Sequence, residues 1–238
     1  MAVISTPFTG FSPATMQFFK DLSENNNKPW FDEHKAVYQS VLQEPLKALV
    51  TAMTPAMYAI DANIDFRPGR VLSRIYRDVR FSHDKSPYKT AMWMTFQRVV
   101  EKWENFPAFF MEISAGGPYS ITNPGGGYAY GMGLYGSDKK VMDSFRSQIE
   151  YEQKHFEEMT KDLITKHGFQ LGGEEYKRPV KNDLPDYFQP WVQRKSVYLI
   201  KNCPVGEEMF DAGFATLLSN EFMLMKPFYE FMVEASSL

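Results

Sequence analysis

VLSRIYRDVRF, residues 71–81, is followed by MWMTFQRVV (92–100), AFFMEISA (108–115) and YAYGMGLY (128–135). Each stretch alternates from one side chain to the next and is rich in β-branched and aromatic residues, which predicts strands. Two of the connections are dense in turn formers: Ala115-Gly116-Gly117-Pro118 and Asn123-Pro124-Gly125-Gly126-Gly127. No helical pattern separates the four segments, so antiparallel pairing is expected. One more strand is expected at 196–201.

The flanks read differently. Ser12-Pro13 is a cap followed by a first helical residue, and Phe18, Phe19 and Leu22 give the stripe of a short helix that Asn25-Asn26-Asn27 breaks. Pro29 starts a second helix carrying Trp30, His34, Val37, Tyr38, Val41 and Leu42 at helical spacing, and Pro45 kinks it or opens another. After the strands, Ser137-Asp138 caps one long helix with Val141, Phe145, Ile149, Phe156, Met159 and Leu163 on a face, ended by His167-Gly168. A further helix starts near Glu207, and Pro227 kinks or restarts it. Helices, then strands, then helices predict an α+β fold: an antiparallel sheet covered by helices from both chain ends, in a single domain spanning residues 1–238.

The 238 residues are 44% hydrophobic and 23% charged, ordinary for a globular protein, and the 16% of aromatics predicts bulky core layers. A net charge of −3 argues against a globally basic nucleic-acid binder. The single cysteine, Cys203, forms no intramolecular disulfide. MAVISTPFTGF lacks the basic and apolar regions of a secretory leader, and no stretch approaches the roughly 18 apolar residues of a spanning helix. A cytoplasmic protein with no membrane contact is the expectation.

Charge is concentrated in one place. Residues 67–89, RPGRVLSRIYRDVRFSHDKSPYK, hold Arg67, Arg70, Arg74, Arg77, Arg80, Lys85 and Lys89 against Asp78 and Asp84, a local charge of +5. Strand alternation places Val71, Ile75, Arg77, Val79 and Phe81 on one face and Arg74, Tyr76, Asp78 and Arg80 on the other. Arg77 among apolar neighbours needs a buried acceptor, and Glu112, mid-strand in Phe110-Met111-Glu112-Ile113, is the candidate partner. The opposite face suits bidentate recognition of phosphate or carboxylate. Arg74 and Arg80 lie about 20 Å apart along a strand. The expected anion position is therefore near Arg80, Lys85 and Lys89, with Arg74 reaching in.

Arg74-x-x-Arg77-Asp78-x-Arg80-Phe81-x-x-Asp84-Lys85-x-Pro87-Tyr88 resembles the hallmark of a mainly bacterial family, domain of unknown function 2461. Phe8-x-Gly10-Phe11, the Asn25-Asn26 loop with Trp30-Phe31, Gly131-x-Gly133-x-Tyr135 and Lys226-Pro227 resemble it too, so the likeness covers nearly the whole chain. It implies that Arg74, Arg77, Asp78, Arg80, Asp84, Lys85 and Tyr88 form a shared centre. It implies no reaction and no cofactor.

Other motifs carry less. Gly131-Met132-Gly133-Leu134-Tyr135-Gly136 matches G-x-G-x-x-G, but no βαβ unit follows, so close backbone packing is the better reading. His34, His83, His155 and His167 have no ligand spacing. Asp78 and Asp84 are surrounded by arginines that compete with Mg²⁺, so no metal is expected. Three readings remain. The first is binding or turnover of an anionic small molecule by Arg74, Asp78, Arg80, Asp84, Lys85, Tyr88 and Lys89. The second is single-stranded nucleic acid, stacked on Tyr76, Phe81, Tyr88 and Trp93. The third is a structural or partner-binding protein in which the cluster is an ion-pair network.

Overall fold

Ser12 opens the first helix as read: its N–H bonds to the Thr15 hydroxyl at 3.3 Å, and Pro13 occupies the first turn. The structure, a computed structural model, describes residues 6–80, 83–116, 120 and 126–237. Parts of both predicted turns, residues 117–118 and 123–125, fall outside these, as does Phe81. Helix α1 (Pro13–Glu24) is followed by α2 (Lys28–Tyr38), whose cap Asn27 accepts the Trp30 N–H at 3.1 Å. A π-helical turn, Gln39–Gln43, joins α2 to α3 (Glu44–Ile60), and Pro45 sits in the first turn of α3. The Thr15 hydroxyl donates to the Val41 carbonyl inside that π turn at 2.6 Å.

A short helix α4 (Pro68–Val71) precedes β1 (Ala91–Phe96), β2 (Ala108–Ser114) and β3 (Gly127–Leu134). Then come α5 (Lys139–Tyr151), α6 (Gln153–Thr165), β4 (Gln170–Gly172), α7 (Gln189–Val192), β5 (Val197–Cys203), α8 (Phe214–Leu224) and α9 (Lys226–Ser236). The strands form one five-stranded antiparallel sheet in the order β1-β2-β3-β5-β4. Gln170 pairs with Ile200, Leu171 with Leu199 and Gly172 with Tyr198. This is the α+β fold read from the pattern.

Three expectations need correction. Residues 72–80 are not a regular strand: the chain leaves α4 and runs extended, with the isolated bridges Leu72–Met94 and Tyr76–Tyr88 in place of a continuous ladder. The single long helix is two helices that meet at Glu152. Ile149 and Phe156 are seven residues apart, a spacing that fits one helix as well as two, and the Gln153 side chain bonds the Glu150 carbonyl at 3.2 Å beside the break. Strand β4 lies in a polar stretch whose composition hid it.

The chain divides into two compact units, Met1–Phe96 with Phe110–Ala129 and Asn202–Asn220, and Gln97–Phe109 with Tyr130–Lys201 and Glu221–Leu238. In the first, Phe19, Leu22, Phe31, Leu42, Leu49, Val50 and Met53 are buried. Phe8, Phe11 and Tyr128 pack on Phe214. In the second, Phe156 meets Phe145, Phe188, Trp191, Phe228 and Phe231 with ring centroids 4.9–6.2 Å apart. Gly133 lies inside β3, where an added Cβ would stand 2.2 Å from the Val197 carbonyl oxygen of β5. Gly133 of the G-x-G string therefore serves strand contact, as the packing reading expects.

Candidate functional site

The basic segment is an arm folded on itself. Arg77 N–H bonds to the Pro87 carbonyl and Lys89 N–H to the Ile75 carbonyl, both at 2.8 Å, which frames the Tyr76–Tyr88 bridge. The outward N–H and carbonyl of Tyr88 are taken by the side-chain amide of Asn26, each at 3.0 Å. Asn26 thus stands where a neighbouring strand would. Pro87 has no N–H to extend the ladder, and the Ser73 hydroxyl, rather than a carbonyl, accepts the Trp93 N–H at 3.0 Å. These three residues explain why alternation exists here without a strand. The alternation of faces survives: Val71 and Ile75 are buried, while Arg74, Tyr76, Asp78 and Arg80 are exposed.

Arg77 is mostly buried, but its acid is not Glu112. Its Nη1 donates to Asp84 Oδ2 at 2.9 Å and to the Ser86 carbonyl at 3.2 Å. The arm turns back within seven residues, so the acid close in sequence reaches the guanidinium first. Glu112 is fully buried, and its Oε1 accepts from the Ser120 hydroxyl at 2.5 Å. Asp84 also accepts from the Ser86 N–H at 2.8 Å and hydroxyl at 2.7 Å. These Ser86 bonds, with Arg77 adding to them, lower its pKa to about 2. A depressed carboxylate stabilises the fold above its ordinary value near 4 and loses that contribution as pH falls through about 2. The melting temperature of the wild type is expected to drop more steeply between pH 4 and pH 2 than that of Asp84→Asn. Parallel curves would contradict the assignment.

Arg80 and Asp78 form an exposed fork, Nε to Oδ1 at 3.0 Å and Nη2 to Oδ2 at 2.6 Å, and the Arg80 guanidinium holds Asp78 below the usual carboxylate range. Lys85 Nζ donates to the Val79 carbonyl at 3.0 Å. Lys89 is half-buried, and burial pulls its ammonium pKa down. Tyr88 is buried, its ring stacked on Phe31 at 4.1 Å. His83 is exposed. Of the three cations expected around one anion, Arg80 is held by Asp78 and Lys85 by the Val79 carbonyl.

Arg74 is placed elsewhere. It lines a cavity of about 300 Å³ with Lys35, Tyr38, Gln39, Gln43 and Lys47 from the helical side, and Leu72 and Tyr76 from the arm. Lys35, Gln39, Gln43 and Lys47 fall every fourth residue. In a straight α-helix twelve residues at 3.6 per turn would carry the last about 120° round from the first. The π turn at Gln39–Gln43 has a wider repeat, which offsets that drift and keeps the four on one side. Single π turns recur at functional sites for such reasons. Sequence reasoning passed over these residues, although the four-residue repeat of Lys and Gln was there to be found.

The lining holds three cations and no acid. Lys47 pairs with Glu44 at 2.8 Å, whereas the side chains of Lys35 and Arg74 form no hydrogen bond or ion pair among the described residues. The Tyr38 hydroxyl is pushed up to about 12 by burial and by nearby Tyr76, so it stays protonated and can donate. Among the described residues no three His, Cys, Asp or Glu side chains gather to hold a metal, and no helix is long and apolar enough to cross a membrane.

The family described as "conserved hypothetical protein", domain of unknown function 2461, matches residues 14–231. The chain belongs to that family. No curated protein and no solved structure matches it.

Proposed function

We propose that this family member binds an anionic small molecule in the cavity between the π turn and the basic arm. One observation carries the reading: Lys35 and Arg74 lack an acidic partner and line a cavity whose wall contains no carboxylate. A guanidinium fork and an ammonium beside a protonated Tyr38 hydroxyl form a donor set, the complement of phosphate or carboxylate. The lining offers cations, amides and a hydroxyl donor, groups that hold an anion, so binding is the function proposed. The lone Cys203 supports a reducing, cytoplasmic setting for it.

The ion-pair reading applies to the rest of the cluster. Arg77 with Asp84, and Arg80 with Asp78, satisfy one another inside the arm. The part of the Arg77–Asp84 pair is to fix the arm's course and so to hold Arg74 and Tyr76 at the cavity, while the exposed Arg80–Asp78 fork stands apart from it.

Inorganic phosphate in low salt is expected to raise the melting temperature of the wild type. The gain shrinks as salt is added, because the cationic ends are open to solvent. Lys35→Gln with Arg74→Gln should abolish the gain while leaving the melting temperature without phosphate within about 2–4 °C, since exposed substitutions cost about 0.5 kcal/mol or less. No gain in the wild type, or an equal gain in the double variant, would overturn the proposal.

A further inference from the structure

The cavity joins two unpaired cations to an uncovered aromatic ring. Tyr76 is 57% exposed, yet its ring is held: it meets Phe31 edge-on at 6.2 Å and Tyr88 at a tilt at 5.5 Å. Phe31 is 1% exposed and stacked on Tyr88, so the support beneath Tyr76 is rigid. A large ring left open on a fixed base, beside a guanidinium, offers a π face at little cost in lost rotamer freedom. Phe31, Tyr38, Leu72 and Ile75 add apolar wall. A volume of about 300 Å³ lies at the lower end of small-ligand sites and suits one ring rather than a polymer. The charge of a phosphate monoester near neutral pH, about −1.5 to −2, matches the two free cations Lys35 and Arg74.

We infer that the ligand is a phosphate monoester carrying a planar aromatic ring, with the phosphate between Lys35 and Arg74 and the ring on Tyr76. This rests on the reading of the cavity as an anion site and adds the ring to it. The hydroxyl of Tyr38 donates to a phosphate oxygen, while Gln39 and Gln43 present amides to the same space.

The test compares phenyl phosphate with cyclohexyl phosphate, of similar size and charge but without a π face, by calorimetric titration of the full chain in low salt. Phenyl phosphate should bind about two- to twelvefold tighter, the ratio an aromatic pair supplies. Tyr76→Leu should bring the two affinities together without weakening cyclohexyl phosphate, and Tyr76→Phe should keep them apart. Equal affinities in the wild type, or a ratio that survives Tyr76→Leu, would overturn the ring assignment and leave the anion site standing. Failure of both phosphates to bind would remove the anion site and the ring assignment together.

Discussion

Phe31→Ala is expected to destabilise the protein by about 3–5 kcal/mol, the range for deleting a fully packed phenylalanine. Phe31 is 1% exposed and its ring meets Tyr38 at 5.4 Å, Tyr76 at 6.2 Å and Tyr88 at 4.1 Å. Truncation leaves a void beneath three rings that cannot all collapse into it, because Tyr88 is tied at both backbone groups to Asn26. The same change loosens Tyr76, so phosphate binding should weaken along with stability. Phe31→Leu keeps most of the volume and should cost about 1 kcal/mol. Urea unfolding measures both, and a loss below about 1 kcal/mol for Phe31→Ala would contradict this packing.

The second large effect is expected at Gly133. A Cβ there would stand 2.2 Å from the Val197 carbonyl oxygen and 2.4 Å from Tyr198 Cα. Both obstacles are backbone, so no rotamer change relieves them, and β3 must part from β5. Gly133→Ala should cost on the order of 3 kcal/mol, the upper part of the range for overpacking. It should leave phosphate affinity unchanged in whatever fraction stays folded. A nucleotide-binding G-x-G would give the opposite result, an intact fold with lost binding.

Much of the architecture is legible in the residues. The alternation of 108–115 and 128–135 yields β2 and β3, and Pro45 and Pro227 mark the starts of α3 and α9. The arm misleads because alternation reports faces and not ladder bonds: Ile75 is buried and Tyr76 exposed as a strand requires, while Asn26, from the loop before α2, takes the bonds of a missing strand. Asn26 is 62 residues from Tyr88, beyond the reach of local pattern. The site was half legible. Arg74 stood out through its charged neighbours, of which Arg77 with Asp84 and Arg80 with Asp78 prove to satisfy one another. Lys35 and Lys47 were hidden because each has the look of an ordinary solvated helix lysine. Only the π turn, which periodicity does not announce, brings Lys35, Gln39, Gln43 and Lys47 to one wall.

Two exposed arginines six residues apart differ in their surroundings: Arg80 is forked onto Asp78, and Arg74 stands unpaired at the cavity. Phosphate affinity measured side by side for Arg74→Gln and Arg80→Gln tests that separation most directly. Charge-assisted hydrogen bonds of about 1.5–3 kcal/mol predict a ten- to hundredfold loss for Arg74→Gln and no change for Arg80→Gln. Loss of affinity in Arg80→Gln with wild-type binding in Arg74→Gln would contradict the account and place the anion in the turn instead.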